Sequence, residues 1–162
     1  MRAAAALLLV LLAACGFQLR GTASLPFETI FVPNATSGIA LHLKRNIQSG
    51  STTRPVDDAK GAQALLQFSE ETRTKEIVAL NTAGRVREYR LIYRVGFRVS
   101  DPQGGEFVQP STVTLFREIT YSDEEALAKE TEEQLLFGEL QSEMVQQIMR
   151  RLSAARAPAP RQ

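Results

Sequence analysis

The side chains best equipped for chemistry are one thiol and one group of cations. Cys15 is the only cysteine in the chain, and Arg73, Lys75, Arg85, Arg87, Arg90 and Arg94 crowd into a short span of its middle. A guanidinium fork matches phosphate or carboxylate through paired hydrogen bonds and an ammonium adds a point charge, so this group suits binding an anion better than transforming one. Acid–base or nucleophilic catalysis needs convergent groups. The chain offers one histidine, His42, with no cysteine or carboxylate cluster at ligand spacing. Neither an enzyme nor a metal site is expected, and His42 reads as a surface residue.

Cys15 has a context of its own. Met1 and Arg2 lead into an unbroken apolar run from Ala3 to Leu12, then Ala13 and Ala14, then the cysteine. This is the layout of a secretory signal with its cleavage site. The run is too short to span a bilayer as a helix, which takes about 20 residues. Leu12-Ala13-Ala14-Cys15 resembles the lipobox of bacterial lipoproteins. That resemblance implies diacylglycerol on the sulfur, cleavage before the cysteine and a further acyl chain on the freed amine, with no other cofactor. One acyl chain gives only marginal binding, at about 0.8 kcal/mol per buried CH₂, so several are needed for a durable anchor. Gly16 stands where an aspartate would resemble an inner-membrane retention signal, which makes the outer membrane the expected address. The plainer alternative is an ordinary signal peptide beside an incidental cysteine, or a buried core cysteine.

The elements that must position the cations follow from composition and periodicity. Residues 1–14 read as the signal peptide, 15–26 as a lipidated tether, 27–153 as a single domain and 154–162 as a disordered tail containing Pro158 and Pro160. The chain carries 19 basic and 18 acidic residues, and losing Arg2 with the signal balances them. Nonspecific nucleic-acid binding needs a basic surplus, so no nucleic-acid partner is expected. With Cys15 lipidated no thiol remains for a disulfide.

Residues 27–32 read as a strand closed by Pro33-Asn34. Ser37 caps a predicted helix to Ser49, with Ile39, Ala40, Leu43 and Ile47 on one face and Gly50 as its stop. Residues 51–61, rich in Ser, Thr, Asp, Gly and Pro, read as a loop. Three long strands follow: 62–80, 85–100, and 107–121, where Pro110 hints at an edge or a bulge. Ser122-Asp123-Glu124-Glu125 reads as a capping box that opens a helix running to about Leu152. Phe137, Leu140, Met144, Ile148 and Leu152, joined by Leu136, Val145 and Met149, form its apolar stripe. The expected fold is α+β: a four-stranded, mostly antiparallel mixed sheet with two α-helices packed on it, in the order β-α-β-β-β-α.

A four-residue turn at Asn81–Gly84 pairs Leu80 with Arg85 and, counting back, Phe68 with Phe97 and Leu66 with Val99. Both apolar faces then share one side. On the polar side the same count sets Glu71 opposite Arg94 and Lys75 opposite Arg90, with Arg73 diagonal to both arginines. Two readings stand for the resulting basic cluster. The leading one is a solvated or lumen-facing surface; the other is an anion site, towards which like charges across a ladder, destabilising by some tenths of a kcal/mol, tilt the balance modestly.

Cys15-Gly16-Phe17-Gln18-Leu19-Arg20-Gly21, the element order, Glu88-Tyr89-Arg90 after a Gly-containing turn, Leu115-Phe116-Arg117 and Ala126-Leu127-Ala128-Lys129-Glu130 together resemble the LptE family. These are lipopolysaccharide-assembly lipoproteins of the outer membrane. The resemblance implies a non-enzymatic plug inside the β-barrel protein LptD, which assists barrel assembly and binds lipopolysaccharide in transit. It implies a place on the periplasmic side and within the barrel lumen, anchored to outer-membrane lipid through Cys15. The family's basic residues are expected near the hairpin turn and in the strand before the final helix. Here the turn is Asn81-Thr82-Ala83-Gly84 and the later strand shows Thr112 and Thr114, so Arg73, Lys75, Arg85, Arg87 and Arg90, with Arg94, are the substitutes. A pilot or accessory subunit of another envelope machine, a secretin or lipid transporter, is the competing function.

Overall fold

The computed structural model describes residues 23–158. Cys15, the signal peptide and most of the tether lie outside them. The elements are β1 (Thr29–Phe31), α1 (Gly38–Gly50), β2 (Arg54–Val56), β3 (Ala64–Leu80), β4 (Val86–Ser100), β5 (Glu106–Thr120) and α2 (Ala126–Ala154). The sheet order is β2-β1-β3-β4-β5, with β1 parallel to both neighbours and the three long strands antiparallel.

The sheet thus has five strands, one more than expected. The added strand, β2, lies in the segment whose composition read as loop. It is three residues long, centred on Pro55, and holds the outermost place in the sheet order, where a missing N–H costs no ladder bond. The other elements form where their patterns place them, although Ser37, at the start of α1, makes no side-chain cap bond. Helix α1 buries Ile39, Ala40, Leu43 and Ile47, and His42 is exposed. The capping box does not form: Ser122 is extended, makes no side-chain cap bond, and leads into a 3₁₀ turn at Asp123–Glu125 before α2 begins.

Strand β3, with 17 residues at about 3.3 Å each, reaches on the order of 50 Å, so the domain has two distinct ends. At the proximal end β1 and β2 flank the start of β3, and the Ala23 N–H donates to the Gly50 carbonyl (2.8 Å), which ties the tether to the end of α1. The core lies here, where α1 and the second half of α2 press Leu43, Ile47, Leu140, Met144, Ile148 and Leu152 onto Ile30, Leu66, Phe97 and Val99. The distal end is the β3–β4 hairpin, closed by the Asn81 side chain, whose Oδ1 accepts from the N–H groups of Ala83 and Arg85 (both 2.9 Å). Gly84 takes the positive φ of 75° that this turn requires.

Candidate anion-binding surface

The register around the hairpin decides where each cation points. Phe68 faces Phe97 and Leu66 faces Val99, as the count from the turn expects. One step further the ladder slips: Glu70, and not Ser69, faces Gly96. Ser69 is an extra residue, and a one-residue bulge sends the side chains that follow it, here Glu70 to Ile77, to the face opposite the one that simple alternation gives them. Gly96 makes room for it, since a Cβ there would collide with the Ser69 hydroxyl and press on Glu70. Arg94 therefore sits opposite Thr72, and Arg90 opposite Glu76. Glu71, Arg73 and Lys75 face Val95, Tyr93 and Leu91. The predicted pairs Glu71–Arg94 and Lys75–Arg90 do not exist, and the six cations divide between two faces and the tip.

Arg73 and Lys75 lie on the helix side. The Arg73 guanidinium stacks over the Tyr93 ring (5.0 Å) and approaches Phe137 (5.8 Å), and donates to Gln141 Oε1 (2.5 Å). The Tyr93 hydroxyl donates to Glu71 Oε1 (2.6 Å). Burial, reinforced by the hydrogen bond and charge of Glu71, holds the Tyr93 phenol well above its ordinary pKa, so it stays a donor. Lys75 bonds Glu133 of α2 (2.5 Å) and sits over Tyr89 (4.2 Å), which meets Tyr121 edge to face at 5.3 Å. Arg117 on β5, which sequence reasoning did not single out, continues the row by pairing with Glu143 of α2 (2.7 Å). These strand cations meet α2 in a polar ladder.

Arg90 and Arg94 lie on the opposite sheet face, which no helix covers. Arg90 is held by Glu118 through two bonds (2.6 and 3.1 Å) and lies over Phe116. Arg94 is exposed, in register between Thr72 and Thr114. Arg85 and Arg87 are at the tip. They line, with Asn81, Val86, Tyr121, Ser122, Asp123 and Glu124, an open cleft of about 360 Å³. Arg85 reaches Asp123 only at 3.7 Å, with both side chains largely exposed. Beside this cleft run exposed apolar side chains: Ile77 (58%), Val78 (42%), Leu80 (56%) and, at the start of α2, Leu127 (82%). Val78 sits at a second irregularity of β3.

Among the described residues no group of three His, Cys, Asp or Glu side chains is placed to hold a metal ion, and no helix is long and apolar enough to cross a membrane. What the arrangement offers is an elongated tip carrying cations beside apolar surface, chemistry matched to an anionic amphiphile.

The family model of LptE, described as lipopolysaccharide-assembly, matches residues 27–152. The chain belongs to the LptE family. Relatives include the LPS-assembly lipoprotein LptE of Pectobacterium atrosepticum, 29% identical over 150 residues that cover 90% of this chain and 80% of that one. The protein of the same name from Yersinia enterocolitica is 27% identical over 149 residues, covering 90% and 71%. Among solved structures, a lipoprotein B from Nitrosomonas europaea is similar at 36% identity and a TM-score of 0.74, over 86% of this chain and 91% of that one. The rare lipoprotein B of Shewanella oneidensis shares the fold, with a TM-score of 0.67 at 23% identity over 78% and 94%. The α+β fold with a mixed sheet and two helices is thus a family feature.

Proposed function

We propose that this chain is a lipid-anchored, non-enzymatic component of lipopolysaccharide assembly, held at the outer membrane by acyl chains on Cys15. It sits inside an LptD-like β-barrel, assists the assembly of that barrel, and contacts lipopolysaccharide through its distal end. The observation that carries the role is the LptE match across residues 27–152. The position of the contact rests on the tip itself, where Arg85 and Arg87 stand beside Ile77, Val78, Leu80 and Leu127: cations suited to phosphate next to apolar surface suited to acyl chains. Arg94 extends the same capacity along the open sheet face. The lumen placement draws support from that face, whose threonines and Arg–Glu pair are compatible with the polar interior of a membrane barrel.

Affinity purification of the tagged lipoprotein from outer membranes in mild detergent tests this reading. A stoichiometric large barrel protein with associated glycolipid is expected, and the barrel should still be retained by Cys15→Ala, because the lipid anchors while the folded domain recognises. Recovery of a secretin or a lipid transporter instead would replace the assignment.

A further inference from the structure

The two edges of the sheet are unlike. On one side β2 is three residues long and centred on Pro55, which guards it against strand pairing. On the other side β5 is 15 residues long, pairs with β4 without a register shift from Ser111 to Thr120, and is the last strand in the sheet. One bond fixes which of its backbone groups point outward. The Tyr121 N–H donates to the Arg87 carbonyl (2.8 Å), and along an antiparallel ladder residues bonded to the neighbour alternate with residues that face away from it. Thr112, Thr114, Phe116, Glu118 and Thr120 therefore turn their N–H and C=O groups away from β4. Two side chains agree with this parity: Arg151 reaches the Thr112 carbonyl (3.5 Å), and Arg117 donates to the Phe116 carbonyl (2.9 Å). A carbonyl has two lone pairs, so neither contact closes the edge.

We propose that β5 is a docking edge for β5 of a second copy of this chain, the two strands running antiparallel about a two-fold axis at Phe116. The occupant follows from the self-pairings that the edge allows. Centred on Phe116, Thr112 faces Thr120 of the second copy, Thr114 faces Glu118, and Phe116 meets itself on the open face, where it is 54% exposed. No like charges are opposed, and an aromatic pair forms at the axis. Centring on Glu118 would set two carboxylates directly opposite one another. Centring on Thr114 or Thr112 would bring in Pro110, which has no N–H to give. Within each copy the charges of this strand already have partners, Glu118 in Arg90 and Arg117 in Glu143, so a neutral strand suits the edge. Pairing also stops at two copies, because each uses its one long edge and leaves β2 at the outer margin. The doubled sheet is wider than the single copy proposed as a plug, so this is a state of the lipoprotein outside a barrel. It covers the edge until a barrel takes up one copy. The inference goes beyond the lipopolysaccharide reading and does not rest on it.

Sedimentation of the full lipoprotein in density-matched mild detergent tests this. The unaltered protein should form a two-copy species that grows with concentration, and nothing larger. Phe116→Lys opposes two ammonium groups at the axis, and Thr114→Pro removes an outward N–H that bonds nothing within its own copy. Each should weaken self-association about tenfold. Phe116 is exposed, so Phe116→Lys should fold, and its melting temperature verifies that. Phe116→Lys mixed with Phe116→Glu should pair again, because residue 116 meets itself. A single copy at every concentration, from a preparation that still retains a barrel, overturns the edge pairing and leaves the proposed function standing. A two-copy species that survives both substitutions overturns the β5 seam, and failure of the mixture to pair overturns the register. Growth beyond two copies overturns closure at β2. Loss of the barrel with the two-copy species intact overturns the proposed function alone.

Discussion

The two ends of this molecule are built on different principles from the same strands. Proximally, β3 and β4 meet α1 and α2 through apolar side chains excluded from water. Distally the same strands meet α2 through Lys75–Glu133, Arg73–Gln141 and Arg117–Glu143, and their apolar side chains at the tip stay in solvent. The changeover is Ser69. Before it, the alternation of β3 directs Leu66 and Phe68 inward; after it, the same face carries Glu71, Arg73 and Lys75. One extra residue turns a core strand into a polar one without breaking the ladder. The lesson is a division of labour: the proximal half supplies stability, and the distal half leaves charged and apolar surface in solvent.

Truncation should expose this contrast most sharply. Leu43→Ala, at a fully buried proximal position, should cost about 2–5 kcal/mol. Leu135→Ala, equally apolar in sequence, should stay within about 0.5 kcal/mol because its side chain faces solvent. Chemical denaturation of the two variants checks the difference. A comparable loss from both would mean that the distal half is as tightly packed as the proximal one.

The changeover itself can be attacked at Gly96. Gly96→Val forces a side chain into Ser69 and Glu70 and should cost about 1–3 kcal/mol. Deleting Ser69 in the same background removes both the bulge and the hydroxyl that the new side chain meets, and keeps Glu70 through Ile77 opposite the same β4 residues, so part of the loss should be recovered and Lys75 should keep Glu133.

Next comes alkaline pH. The Tyr93 phenol is raised above the 10.0 of a free tyrosine. The unfolded chain therefore releases this proton first as pH rises, and the native state keeps it. The stabilisation is complete below pH 10 and is lost above it, at about 1.4 kcal/mol per pH unit for this one group. Tyr93→Phe should remove that increment of slope from the stability profile above pH 10. An unchanged slope would mean that the phenol ionises freely in the native state.

Smallest is the Lys75–Glu133 pair: Glu133→Gln should cost only about 0.2–1 kcal/mol, since the pair is partly open to water. Calorimetry at low and at high salt checks it, with the deficit shrinking as salt screens the pair in the unaltered protein. A loss above 2 kcal/mol would make the contact part of the stabilising core.

Much of the fold is legible in the chain because the signals are local. The stripe of α1, the Gly-containing turn at Asn81–Gly84 and the Phe68–Phe97 pairing follow from periodicity and turn chemistry, and the structure has them, although Leu80 pairs with Val86 and not with Arg85 as a four-residue loop would have it. Strand β2 is illegible because three residues around Pro55 carry no period, and its ladder depends on β1 arriving beside it. The capping box misleads because Ser122-x-x-Glu125 specifies a motif whose formation depends on the backbone path out of β5. For the cations the reason is parity. An alternation count carries any inserted residue forward as a flip of face, so the assignments from Glu70 to Ile77 are reversed relative to β4 until the second irregularity at Val78. The available signal is Gly96, a glycine inside an aromatic and β-branched strand, which marks a bulge or a close backbone approach. With that bulge placed at Ser69, Arg73 and Lys75 go to the helix side from sequence alone.

The measurement that tests the account most directly is photocrosslinking in living cells from two exposed positions at opposite ends, Val78 at the tip and His42 on α1. The account predicts lipopolysaccharide adducts at 78 and none at 42. Adducts at 42 with none at 78 would contradict it, placing the working surface over the apolar core instead of at the polar, extended end.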